Sequence, residues 1–104
     1  MKITPVYTAH AVATGGRNGT ARIDENPLDI TLARPPAMGG NGKGNNPEQL
    51  FAAGYAACFI GAMEHAPVVD KSLPKPPADS SIASSVGIGP REDGGFGLSV
   101  TLEV

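Results

Sequence analysis

Among the side chains that could carry covalent chemistry, one thiol stands apart. Cys58 is the sole cysteine of the 104 residues, so no internal disulfide framework can form, and a small secreted scaffold would show an even set. A cysteine acts as a nucleophile only as thiolate, and a thiolate needs a positive charge beside it. The stretch around Cys58 carries no charge at all between Glu48 and Glu64, so any activating cation must come from elsewhere in the fold. Arg17 is a candidate, because the turn Gly15-Gly16-Arg17-Asn18-Gly19 can present it at the edge of a sheet. Each of these residues also has a plainer reading. On composition alone Cys58 reads as a small hydrophobe, inert in a core, since free Cys is among the most buried residue types. Arg17 could be a solvated loop arginine, and Glu48 a first-turn acid that favours the helix macrodipole.

Other candidates carry less. His10 and His65 lie 55 residues apart, and with a single Cys they give no zinc-type ligand spacing. The run Gly39-Gly40-Asn41-Gly42-Lys43-Gly44 invites comparison with phosphate-cradling loops, but Lys43 is followed by Gly44 where a P-loop needs Ser or Thr. No cofactor and no metal are expected.

The elements that must position Cys58, Arg17 and Glu48 follow from periodicity and punctuation. Residues 3–13, 20–24 and 28–33 are rich in β-formers and separated by Gly- and Pro-containing turns, which predicts a three-stranded meander. Residues 34–46, RPPAMGGNGKGNN, predict a loop. Asn46-Pro47-Glu48-Gln49 is a strong helix start, and the helix is predicted to run through LFAAGYAACFIGAMEH and stop before Pro67. Apolar and small residues cover it on all sides, which predicts a helix buried all round, with Ala and Gly positions that let another backbone come close. A Pro-rich connector over 66–80 leads to two further strands, 81–89 and 96–104, joined by Pro90-Arg91-Glu92-Asp93-Gly94-Gly95. The last strand runs to the final residue without a turn or polar tail, so the chain reads as cut off.

The bulk numbers bound the rest. A length of 104 residues fits one domain. Net charge is -2 with the signs interspersed, which gives no basic footprint for nucleic acid and none for an acidic membrane surface. No apolar run reaches membrane-spanning length. The first ten residues, MKITPVYTAH, lack the apolar region of a secretory signal, so the expected compartment is the cytoplasm. Fourteen glycines, ten prolines and no tryptophan make a thin core, a first hint of oligomerisation.

Three segments carry a family likeness: Thr14-Gly15-Gly16-Arg17-Asn18-Gly19, the long string Asn46-Pro47-Glu48-Gln49-Leu50-Phe51-Ala52-Ala53-Gly54-Tyr55-Ala56-Ala57-Cys58-Phe59, and Val86-Gly87-Ile88-Gly89-Pro90. In order and spacing they resemble the organic hydroperoxide resistance (Ohr) proteins of the OsmC-like superfamily along the whole chain. The resemblance implies an α+β fold, an antiparallel sheet with a central buried helix, in an intertwined homodimer with its sites at the subunit interface. It implies a cytoplasmic thiol peroxidase that reduces organic and fatty-acid hydroperoxides to alcohols, with dihydrolipoyl groups on proteins, or another thiol, as reductant. By position, Cys58 corresponds to the peroxidatic cysteine, Arg17 to the arginine that stabilises its thiolate, and Glu48 to the acid that orients that arginine. The family pattern also holds a resolving cysteine in a helix beyond the position of Val104, followed by a closing strand, and this chain is expected to lack both. A non-catalytic dimerising remnant and a small-molecule-binding module are the alternatives to an active peroxidase.

Helix geometry adds one expectation about the dimer. Glu48 and Cys58 are ten residues apart on one helix, hence roughly 15 Å along its axis. One helix cannot bring its own pair into a single site, whereas two copies packed antiparallel about a two-fold axis can. Each site is therefore expected to combine Cys58 of one subunit with Glu48 of the other.

Overall fold

A computed structural model describes residues 2–104. The chain forms two compact units, divided after Pro47.

The first unit is an antiparallel meander of β1 (Ala11–Thr14), β2 (Thr20–Ile23) and β3 (Leu28–Thr31), in the order β1-β2-β3. The register pairs Val12 with Arg22 and Arg22 with Asp29, and the last pair closes a cross-strand ion pair at 2.8 Å. The first strand is much shorter than predicted. Of residues 3–13 only 11–13 are in it, because Pro5 lies within the early segment and β2 has only four residues to pair with. Beyond β3 the chain stays locked by backbone hydrogen bonds. Asn45 bridges Leu32 in parallel, donating to Thr31 O at 2.9 Å and accepting from Ala33 N at 3.0 Å. The intervening Gly/Pro segment is a loop, as predicted, with one 3-10 turn at Pro36–Met38. Gly44 is required there: a Cβ would stand 2.6 Å from Thr31 O. Ile30, Leu32 and Ala33 are buried and form the small core of this unit.

The second unit holds the helix α1 (Pro47–Val69), all but its first residue, and the hairpin of β4 (Ala83–Pro90) and β5 (Phe96–Glu103). The helix does not stop before Pro67; it ends two residues after it. Proline is costly mid-helix because it lacks the N–H and crowds the preceding turn, and here it falls in the last turn, where less ladder remains to disrupt. Asp70 N still donates to Ala66 O at 2.9 Å, and the exit is tied by Asp70 Oδ1, which accepts from Ser72 N at 3.0 Å and Ser72 Oγ at 2.7 Å. In the hairpin, Val86 faces Val100 and Ile88 faces Leu98, while Gly87 faces Ser99 and Gly89 faces Gly97. One face is thus apolar and the other nearly flat. The connecting turn uses positive φ at Gly94 and Gly95 and is braced by a two-pronged Arg91–Asp93 pair.

The sequence predicts a helix buried on all sides and packed on a sheet. In the single chain α1 has no buried residue, and it forms no extended contact with β4 or β5. The physical reason is supply: the two-stranded hairpin of this unit cannot cover a 23-residue helix that is apolar around its circumference. The α+β class and the antiparallel pairing are as expected.

Candidate active site

Cys58 sits near the middle of α1 and is exposed, which corrects the reading of an inert core thiol. It lies in an apolar groove of about 520 Å³ lined by Phe51, Gly54, Tyr55, Cys58, Phe59 and Ala62. Five of these, residues 51, 54, 55, 58 and 62, are spaced three or four apart and share one face of the helix. The Phe51 and Tyr55 rings meet at 5.6 Å between centroids with a 45° tilt, an arrangement in which each stiffens the other. Both residues remain more than 40 % exposed, so the wall they form is open in the single chain. Of the groove residues, the sequence alone points by number only to Cys58. The signal was present in their spacing, but it is masked where apolar residues occupy every side of the helix.

Glu48 opens α1 in its first turn and is half-buried. The unbroken helix between Glu48 and Cys58 keeps them roughly 15 Å apart along the axis, so the structure does not bring this pair together within one chain. Arg17 belongs to the other unit. It stands in the 3-10 turn Gly16–Asn18 between β1 and β2, entered through Gly15 at φ 84° and Gly16 at φ 69°. Those angles are cheap only for glycine, which is why the Gly-Gly-Arg order is needed to form the turn. The turn is closed by Gly19 N donating to Gly16 O at 3.0 Å. It is fastened to the unit's core by Leu32 N donating to Gly19 O at 2.9 Å and Arg34 N donating to Asn18 Oδ1 at 3.0 Å. Arg17 is half-buried, unlike a solvated loop arginine.

The second unit thus offers an accessible thiol in apolar surroundings on the helix that Glu48 opens, and the first unit carries Arg17 on a hydrogen-bonded turn. Comparison with known proteins decides what family this is. The chain is 56% identical over 100 residues to an organic hydroperoxide resistance protein of Xanthomonas axonopodis pv. citri, covering 95% of this chain and 68% of the relative. The chain belongs to the Ohr family. Its fold matches the crystal structure of an Ohr protein from Legionella pneumophila with a TM-score of 0.81, at 43% identity over 95% of this chain and 70% of that one. The Ohr protein OhrB of Bacillus subtilis matches with a TM-score of 0.75, at 44% identity over 94% of this chain and 70% of that one. No family model matches the chain. Among the described residues, no helix is long and apolar enough to cross a membrane.

Proposed function

We propose that this Ohr-family chain is a cysteine-dependent peroxidase that reduces organic hydroperoxides to alcohols. The observation that carries the reading is the exposed Cys58 thiol in an aromatic-walled groove, a setting suited to an apolar tail. The thiolate sulfur attacks the distal peroxide oxygen and the O–O bond breaks. The organic oxygen leaves with the electron pair and takes up a proton as the alcohol, while sulfur is oxidised to sulfenic acid. Arg17 stabilises the thiolate and Glu48 orients Arg17. α1 carries no Lys or Arg, so the permanent positive charge has to arrive from outside it.

The proposed working unit is a homodimer in which residues 1–104 form one domain per subunit. Its sites pair Cys58 of one subunit with Glu48 of the other, because axial separation forbids the pair within one helix. A second thiol, supplied from outside these 104 residues, condenses with the sulfenic acid. A dihydrolipoyl protein or another dithiol then restores Cys58. The proposed compartment is the cytoplasm, where thiol reductants are abundant.

Stopped-flow oxidation of the purified chain tests the reading. A bulky organic hydroperoxide should oxidise Cys58 faster than hydrogen peroxide does. Equal or faster reaction with hydrogen peroxide would count against the groove as substrate site. A chain that takes up acyl compounds without consuming peroxide would be a binding module instead.

A further inference from the structure

We infer that Gly54 is the specificity-determining position of this site: its missing side chain provides the room beside the Cys58 sulfur that the organic part of a hydroperoxide occupies. The inference rests on the peroxidase reading and names the residue that selects the substrate.

Side chains on an α-helix lean toward its N-terminus, so a residue covers the surface over the turn that precedes its own Cα. The Cys58 thiol therefore leans over the turn made by Gly54 and Tyr55, four and three residues before it. Gly54 lines the groove, and a Cβ built on it would meet nothing within 4 Å in the single chain. Phe51 and Tyr55, whose rings contact each other, stand beside that opening. The space next to sulfur is thus floored by bare backbone and walled by aromatic carbon. A hydrogen peroxide molecule needs little of that space; a cumyl or acyl group needs most of it. Helix propensity alone does not account for glycine here. Gly is among the worst residues for a helix interior, and alanine would fit the open space without a clash. Gly61 supplies an internal control, being equally unobstructed on the same helix but not lining the groove.

The experiment compares wild type, Gly54→Ala, Gly54→Val and Gly61→Val. Each is reacted with cumene hydroperoxide and with hydrogen peroxide, and the second-order rate of Cys58 oxidation is followed. Gly54→Val should lower the cumene hydroperoxide rate about tenfold or more, a loss of the size that one or two misplaced methyl groups cause in an apolar pocket. The hydrogen peroxide rate should fall by a clearly smaller factor, since that substrate uses little of the filled volume. Gly54→Ala should fall between, and Gly61→Val should keep the wild-type ratio. Four results overturn the inference while leaving the peroxidase reading in place: an unchanged ratio in both Gly54 variants, an equal fall with both peroxides, a Gly54→Ala ratio outside that interval, or a matching loss of selectivity in Gly61→Val. A wild-type thiol inert to both peroxides removes the peroxidase reading, and this inference with it.

Discussion

The two units of the chain differ in what they complete for themselves. The meander unit has a small core of its own, although Val6, Val12 and Leu28 stay exposed. Ile30, Leu32 and Ala33 are buried, Asn45 is zipped between Thr31 and Ala33, and the turn bearing Arg17 is tied down by Leu32 N donating to Gly19 O and Arg34 N donating to Asn18 Oδ1. The helix-and-hairpin unit leaves Phe51, Tyr55, Phe59 and the apolar hairpin residues Leu98 and Val100 exposed and buries no residue of α1. Yet the thiol belongs to the second unit. The contrast is that Arg17, the proposed charged partner, sits on a turn fastened within its own unit, while Cys58, the proposed nucleophile, rides on a helix that buries no residue in the single chain.

The most damaging way to break this division is at the nucleophile. Cys58→Ser should cut peroxide consumption by roughly 10³-fold or more with secondary structure unchanged, measured by residual peroxide and circular dichroism. In the meander unit the largest expected loss is of stability. Leu32→Ala should cost about 2 kcal/mol in urea unfolding, because a core of three residues has nothing to collapse into the cavity. Arg17→Ala should leave the fold intact and slow peroxide attack about tenfold, as expected of the cation proposed to stabilise the thiolate. An unchanged rate would remove Arg17 from the site. Next in size is complementation. Equal mixing of Glu48→Ala and Cys58→Ser chains should restore roughly a quarter of wild-type activity, because random pairing makes half the dimers mixed and each mixed dimer holds one intact site. Mixed dimers that form but stay inactive would show that Glu48 does not serve the other subunit's thiol.

The smallest expected effect lies at the helix exit. The Ser72 hydroxyl and backbone N–H bonded to Asp70 hold its carboxyl below the usual range. A depressed folded value means that the contribution is present above the unfolded value and lost as pH falls through the folded one. Ser72→Ala should therefore return the Asp70 titration, followed by NMR, toward the ordinary carboxylate position. Wild type and variant should converge in stability at acid pH.

Much of this architecture was legible in the residues themselves. Strand alternation gave the meander and the hairpin, Asn46-Pro47-Glu48 marked the helix start to the residue, and the Gly-Gly-Arg turn was recognisable because only glycine tolerates its angles. What misled was the uniformly apolar helix. Where Ala, Gly, Phe and Ile occupy every side, hydropathy says that the helix prefers cover but not where the cover comes from, so Cys58 read as core when the single chain leaves it exposed. The far end of α1 was missed for a different reason, since Pro67 blocks helix continuation only where a full turn must follow it.

The uncovered helix has a consequence for how the proposed dimer would respond to dilution. When cover comes from a second copy, folding and association share one equilibrium, and mass action makes the thermal midpoint rise with protein concentration. The thiol would then be assembled most completely where the chain is abundant, so cellular dosage would set the fraction of working sites as well as their number.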